Sequence, residues 1–187
     1  MNAPSRDSAC RSRSESDPSS PVCKRVAAVI APHPAWDSAL CAALAEAFGP
    51  VDHRGIWHPF EDGGYYAAEM GRPLWRGWLS FRGLVDPAGL PAWKETTRGM
   101  EARFAGGGRR TVNLDIGYLD ADKLVLASFK PGPRKLYLGR GVWADMILGY
   151  YRGGFEPLPG AFPDFRDGRY DKCLGVIRDK MKAEMRR

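Results

Sequence analysis

Apolar and polar positions follow recognisable patterns along most of the chain. Val26–Ala31 is a continuous apolar run, which is typical of a strand that is buried on both faces. Apolar residues then recur three or four positions apart, which predicts a helix that begins at Trp36 or Asp37 and ends at Gly49. A second strand is predicted over residues 51–58, and a loop rich in Gly and Pro with one helical turn follows it.

Strict alternation of side chains predicts a longer strand over residues 74–83, "LWRGWLSFRG". A helix over residues 91–104 and a strand over residues 110–116 complete the order β-α-β-β-α-β. This order is typical of ferredoxin-like folds, which pack both helices on one face of an antiparallel sheet and leave the other face open. In the usual strand order, the strand over 110–116 lies at an edge of that sheet.

The second half of the chain predicts an extension of this sheet. Strands are indicated at Lys123–Phe129, Lys135–Leu138 and Val142–Leu148, the last two joined by a Gly-bounded hairpin turn. Residues 151–168 are rich in Pro and Gly and are predicted to be irregular, and a last helix is predicted over residues 167–185. We therefore expect an α+β fold in which a ferredoxin-like half is extended by further antiparallel strands and a C-terminal helix.

The first 24 residues differ from the rest in composition, because Ser, Arg and Pro dominate and few side chains can pack. Such a segment cannot bury enough apolar surface to offset the entropy lost when it becomes ordered. We therefore expect a disordered tail over residues 1–24 and a single domain over residues 25–187.

The net charge of +6 is concentrated at the two ends of the chain. Residues 1–25 carry five basic and three acidic side chains, residues 166–187 carry eight and four, and the middle is neutral. A pI near 9.3 is typical of proteins that bind nucleic acid. Because the middle of the chain has no basic excess, nucleic acid is the less expected partner.

Hydropathy and cysteine spacing indicate the compartment. No apolar run approaches the roughly 20 residues that span a bilayer. The four cysteines form no C-x-x-C pair and no disulfide framework. The sequence therefore predicts a cytoplasmic protein with reduced cysteines and no membrane partner, and it indicates no oligomeric state.

The first candidate site lies in "NLDIGY", residues Asn113–Tyr118. Successive side chains of a strand point to opposite faces, so Asn113 and Asp115 project from the face opposite to Leu114. A carboxylate beside a carboxamide on one strand face favours a ligand site. We expect Asn113 and Tyr118 to contact a ligand beside Asp115.

The predicted hairpin supplies a second group of candidate residues. Lys130, Arg134 and Lys135 place three cations within six residues, and Asp145 follows on the next strand. Arginine can bind a phosphate or carboxylate with two hydrogen bonds, and lysine adds a compact charge. We expect these three cations to bind a small anionic ligand, such as a nucleotide or a phosphorylated metabolite.

Asp115 and Asp145 are the candidate catalytic residues. Two carboxylates near an anion can position a divalent metal ion, or can act as a base in hydrolysis or group transfer. The chain has no phosphate-binding G-x-x-x-x-G-K-[ST] loop and no G-x-S-x-G or H-E-x-x-H signature. Whether the protein is an enzyme therefore stays open at this stage.

Two alternatives to a small-molecule site use other features of the sequence. An RNA-binding module would use the open sheet face through Arg76, Trp78 and Arg82, with base stacking as in sheet-based RNA binders. A protein-interaction domain would have no ligand and would present exposed aromatic side chains to a partner. The first alternative requires an uncovered face, whereas a covered face favours a pocket between the two halves of the chain.

Four segments carry a resemblance to a known family. They are "GYYAAEMG" (Gly64–Gly71), "NLDIGYLDADKLVLASFK" (Asn113–Lys130), "RKLYLGRGVWAD" (Arg134–Asp145) and "FEPLPGAFPDFR" (Phe155–Arg166). In order and spacing the chain resembles the bacterial domain of unknown function 4416 family over about residues 26–178. The resemblance implies a single family domain and implies no particular activity.

The chain departs from the family pattern at several positions. Ile116 stands where the pattern has Pro, Arg134 where it has His, and Asp145 where it has Glu, and "PGAF" replaces an aromatic segment. If the family uses that His as an acid or base, Arg134 cannot replace it, because a guanidinium keeps its proton near neutral pH. A role for Arg134 in binding an anion is compatible with the substitution.

Overall fold

The computed structural model describes residues 21–61, 64 and 66–186. The predicted tail, residues 1–24, lies outside the described residues except for its last four. Of these, Cys23 and Lys24 belong to the first strand and are buried, so the sheet begins inside the predicted tail. Lys24 can be buried because its ammonium group is paired with Asp52 at 2.6 Å and with Glu184 at 2.8 Å.

The elements of the first half follow the predicted patterns, with one exception in the second strand. They are β1 (Cys23–Ala31), α1 (Ser38–Phe48), β2 (Val51–Arg54), β3 (His58–Phe60), α2 (Ala67–Met70) and β4 (Leu74–Val85). The predicted strand over 51–58 is two strands, β2 and β3, which both pair with β4. Between them, the backbone N–H of Gly55 donates to the carbonyl of Trp78 at 2.8 Å, and a Cβ at Gly55 would lie 2.6 Å from the Cys173 sulfur.

The second half contains one strand that the sequence did not predict. The elements are α3 (Leu90–Arg103), β5 (Asn113–Leu119), β6 (Lys123–Ser128), β7 (Leu136–Gly139), β8 (Val142–Tyr151), β9 (Gly154–Pro157) and α4 (Asp171–Glu184). β9 lies in the segment that was predicted to be irregular. It pairs with β8 across a tight turn in which Arg152 and Gly153 have φ of 48° and 91°, the conformation that two-residue hairpin turns require.

The nine strands of the described residues form one antiparallel sheet. The strand order is β2-β4-β1-β5-β6-β8-β7, with β3 also paired to β4 and β9 to β8. The expected α+β class and the extension by further antiparallel strands are therefore confirmed. β5 is an internal strand and not an edge strand, because β6 pairs along its outer side and continues the sheet.

The sheet has a hydrophobic core on each face. On one face, α1 and α3 pack over β1, β4 and β5 through side chains such as Leu44, Leu79 and Leu114. On the other face, α4 and the segment before it, residues 158–170, pack over the same strands, with Leu174 among the buried side chains. Two covered faces explain why β1 is a continuous apolar run.

The face that was expected to be open is covered. Arg76 and Trp78 are 1% and 0% exposed. The ring of Trp78 packs against Phe165 and Tyr170, and the guanidinium of Arg76 is paired with Asp164 at 2.5 Å. The RNA-binding alternative needed Arg76, Trp78 and Arg82 at the surface. Arg82 is exposed, but the buried Trp78 ring cannot stack on a base.

No helix in the part of the chain that the structure describes has the length and apolar character needed to cross a membrane.

Candidate functional site

A cleft opens where β5 and β6 separate. The two strands pair only from Gly117 opposite Leu126 to Leu119 opposite Leu124. Nearer the start of β5 they diverge around a cleft of about 300 Å³. Glycine is required at the point of closest approach, because a Cβ at Gly117 would lie 2.1 Å from the carbonyl oxygen of Val125.

Side chains of α3 bind the backbone of β5 where β6 is absent. The N–H of Leu114 donates to the carboxylate of Glu101 at 2.5 Å. The carbonyl of Leu114 accepts a hydrogen bond from the ammonium of Lys94 at 2.9 Å. These two bonds satisfy polar backbone groups that would otherwise be left without partners in a buried strand, and they bring two charged groups to the wall of the cleft.

Five of the seven predicted site residues line this single cleft. They are Asn113, Asp115, Lys130, Lys135 and Asp145. The two segments that the sequence singled out separately, "NLDIGY" and the hairpin, therefore contribute to one site. The fold brings them together because β5 and β8 are both neighbours of β6 in the sheet.

The other two predicted site residues do not line the cleft. Tyr118 packs against the core of α1 and α3, on the face opposite to Asp115, because neighbouring residues of a strand alternate. Arg134 is exposed, and its guanidinium donates to the carbonyl of Pro159 at 3.0 Å. Arg134 therefore ties the hairpin to the segment over residues 158–170.

Each of the two candidate catalytic carboxylates has a lysine partner. Asp115 lies 3.6 Å from the ammonium of Lys94, and Asp145 lies 3.1 Å from that of Lys135. Lys135 also donates to the hydroxyl of Ser128 at 3.1 Å. All four charged side chains are between 7% and 24% exposed, so each pair is partly shielded from water.

A second charged group lies at the start of β5. Arg110 donates to the amide oxygen of Asn113 at 3.0 Å, lies 3.6 Å from Glu101 and is paired with Glu69 at 2.5 Å. Burial raises the pKa of Glu101 above its ordinary value, although Lys94 and the bond from the Leu114 N–H favour the charged form. Glu101 is therefore a largely buried acid, 12% exposed, that binds a proton more readily than an exposed glutamate does.

The amide of Asn113 is only partly satisfied. Asn113 is 4% exposed, and its oxygen accepts the bond from Arg110. Its nitrogen has no hydrogen-bond partner among the described residues. A buried donor without an acceptor costs about 1–3 kcal/mol, so the nitrogen is a candidate contact for a bound molecule.

A divalent metal, which two carboxylates can position, has no evident set of ligands among the described residues of the cleft. Among the residues that the structure describes, no group of three or more His, Cys, Asp or Glu side chains is placed to hold a metal ion. The ammonium groups of Lys94 and Lys135 lie beside Asp115 and Asp145, where a metal cation would otherwise bind. These carboxylates fit a protein ion-pair network better than a metal centre.

Three charged residues of the cleft were not predicted: Lys94, Glu101 and Arg110. One signal in the sequence could have indicated the first two. Residues 94 and 101 are seven positions apart, so both lie on one face of α3. Trp93 and Met100, which directly precede them, are buried on this helix. Charged side chains so close to buried positions are rarely buried unless they are paired, so their position indicates specific ion-pair partners.

A second cavity, of about 380 Å³, lies on the face of the sheet covered by α1 and α3. It is walled mainly by aromatic and aliphatic side chains, including Trp36, Trp57 and Phe104. None of the predicted site residues lines it. The polar cleft between β5 and β6 is therefore the better candidate for a site that binds a charged molecule.

Comparison with known families agrees with the segments quoted above. The family model described as Domain of unknown function (DUF4416) matches residues 21–181. The chain belongs to the DUF4416 family. The match includes every strand and both walls of the cleft in this DUF4416 domain. Searches of curated proteins and of solved structures found no match.

Proposed function

We propose that this DUF4416 protein binds a small anionic molecule, such as a nucleotide or a phosphorylated metabolite, in the cleft between β5 and β6. The observation that carries the proposal is the convergence of four cationic side chains on one cleft. They are Lys94, Arg110, Lys130 and Lys135. Ammonium and guanidinium groups make strong charge-assisted hydrogen bonds to phosphate and carboxylate.

The exposure of these cations favours an anion near Lys130 and Lys135, because Lys94 is only 7% exposed and Arg110 is paired with both Glu69 and Glu101. Lys135 is paired with Asp145 at 3.1 Å, so an anion there would share its ammonium group with that carboxylate. Burial, and then repulsion by the charge of Lys135, lower the pKa of Lys130 below its ordinary value. An anion between the two ammonium groups would offset this repulsion.

Catalysis is not required by this proposal. Hydrolysis or group transfer would need a carboxylate that takes up a proton, and Asp115 and Asp145 remain the candidates because both line the cleft. Each of them is paired with a lysine of the cleft. A role in binding or in positioning a ligand therefore fits their surroundings at least as well as a role as base.

We further propose that the first half of the sheet is ferredoxin-like. The order β2-β4-β1-β5, with α1 after β1 and α3 after β4, supports this assignment. In this arrangement, α4 and residues 158–170 cover the face that a bare ferredoxin-like sheet leaves open. Phe162, from this covering segment, also lines the cleft.

The proposal can be tested by measuring binding of inorganic phosphate, of nucleoside monophosphates and of ribose 5-phosphate by calorimetry and thermal shift. We expect at least one of these anions to bind. Lys130→Met should weaken that binding about tenfold or more, because a charge-assisted bond contributes about 1.5–3 kcal/mol. Lys182→Met is the matched control, since it removes the same charge from an exposed position on α4.

Two results would contradict the proposal. If Lys130→Met and Lys182→Met weaken binding equally, the anion responds to net charge and not to the cleft. If no anion binds and mass spectrometry of the natively purified protein shows no small molecule, the protein-interaction alternative is favoured. Its strongest support is at β7, where Leu136 and Tyr137 are 71% and 59% exposed.

A further inference from the structure

We infer that the ligand of the cleft has two chemically different ends, as a nucleoside monophosphate has. One end is an anion at the mouth of the cleft, and the other is an uncharged polar edge that reaches Asn113 and Asp115. This inference rests on the proposed function and adds the class of ligand to it. Nucleobases carry a hydrogen-bond acceptor next to a donor on the edge of a planar ring, whereas the hydroxyls of a sugar phosphate, which also donate and accept, lie on a ring without an aromatic face.

The exposure of the lining residues separates the deep part of the cleft from its mouth. Asn113 is 4% exposed and the side chain of Lys94 7%. Lys135 is 21% exposed, and Lys130, two residues beyond β6, is exposed. These two cations therefore lie towards solvent, and the amide of Asn113 lies at the inner wall.

The inner wall offers a donor. The guanidinium of Arg110 can only donate, so the amide oxygen of Asn113 must be the atom that faces it. This leaves the amide nitrogen on the other side, buried and without a partner in the described structure. A ligand acceptor is the group that would satisfy it.

The inner wall also offers an acceptor. Asp115 lies two residues further along β5, on the same face and about 6–7 Å from Asn113. Its closest ammonium, that of Lys94, is 3.6 Å away, too far for a good hydrogen bond. Asp115 therefore has acceptor capacity for an N–H of the ligand beside the donor of Asn113.

Apolar rings complete the cleft. Phe129 and Phe162 line it together with Ile147, and the guanidinium of Arg98 lies 4.5 Å from the centre of the Phe129 ring. A planar ring with an acceptor–donor edge suits such walls, because aromatic faces bind bases by stacking. Inorganic phosphate would leave both the rings and the Asn113 amide without a partner, and a sugar phosphate could reach the amide through a hydroxyl but would offer the rings no aromatic face.

The test compares ligands with and without the second end. Wild-type protein is titrated with ribose 5-phosphate, with the four nucleoside monophosphates and with the corresponding nucleosides. We expect at least one monophosphate to bind about tenfold or more tightly than ribose 5-phosphate, and its nucleoside to bind more weakly than the monophosphate. Asn113→Leu removes the amide at similar size, and it should abolish the preference for the monophosphate by weakening monophosphate binding more than ribose 5-phosphate binding.

Ser80→Ala serves as the control, since Ser80 is also buried in the sheet but binds Asp52 away from the cleft. It should leave the preference intact. If Asn113→Leu does not fold, the wild-type comparison decides alone. Equal affinity for ribose 5-phosphate and all four monophosphates would overturn this inference, but it would still support the proposed anion site. If none of these anions binds, the inference and the proposed function both fail.

Discussion

The buried pair of Arg76 and Asp164 allows a sharp test of how the second core is held together. The guanidinium of Arg76 lies 2.5 Å from the carboxylate of Asp164, which also accepts a hydrogen bond from the Tyr170 hydroxyl at 2.6 Å. Arg76 and Asp164 are 1% and 4% exposed. Asp164→Leu should therefore be strongly destabilising, because it leaves the charge of Arg76 buried without its counter-ion.

The expected loss is about 3–5 kcal/mol, the usual cost of removing one partner of a buried ion pair. The Phe60 ring, 4.2 Å from the guanidinium, offsets only part of it. For a domain of this size, each kcal/mol lowers the melting temperature by about 2–4 °C, so a drop of about 6–20 °C is expected. The measurement is urea unfolding followed by tryptophan fluorescence, for which Trp78 is a buried reporter beside Tyr170.

Two further variants make this reasoning refutable. Asp167→Leu removes an exposed carboxylate that is paired with Arg169, and it should cost less than about 1 kcal/mol. The double variant Arg76→Met, Asp164→Leu removes both charges, and it should recover most of the lost stability. The reasoning is wrong if Asp164→Leu costs no more than Asp167→Leu, or if the double variant is less stable than the single one.

Two other predictions concern the cleft. Gly117→Ala should destabilise the protein by about 1–3 kcal/mol or more in urea unfolding, because the added Cβ would collide with Val125. In the control Gly154→Ala the added Cβ meets nothing within 4 Å, so this variant should lose less than about 1 kcal/mol. Equal losses of stability would contradict the close approach of β6 to Gly117. Because the pKa of Glu101 is raised in the folded protein, the folded state binds the Glu101 proton more tightly than the unfolded chain does. The ionisation of Glu101 therefore lowers the free energy of unfolding as the pH rises above 4.5, the ordinary pKa of a glutamate. Glu101→Gln should therefore gain stability relative to wild type between pH 4 and pH 7, and a constant difference over that range would refute the assignment.

Much of the candidate site could be predicted because strand geometry is local. Alternation placed Asn113 and Asp115 on the face opposite to Leu114, and the structure has them there. The same alternation argues against Tyr118 as a ligand contact, because Tyr118 lies on the same strand face as Leu114 and packs in the core. The error was to group residues by closeness in sequence, although neighbours on a strand point apart.

The partners of the site residues depend on contacts between distant segments. The pairing of Lys94 with Asp115 and the bond from Leu114 to Glu101 require α3 to lie across the end of β5. No local pattern specifies how far a helix is shifted along the sheet that it covers. Arg134 illustrates the same point, since its partner, Pro159, is 25 residues away in an irregular segment.

By itself, the sequence determined the α+β class, most of the helices and strands, and the two segments that line the cleft. Those features follow from the periodicity of side chains, from capping residues such as Asp37 and from glycines in turns, which all act over a few residues. Only the tertiary structure decided that Arg76 and Trp78 are buried, that β5 and β6 separate beyond Gly117, and that the buried amide nitrogen of Asn113 has no hydrogen-bond partner among the described residues. These outcomes depend on which surfaces cover one another, and the energies of burial and ion pairing that select them arise between residues far apart in the chain.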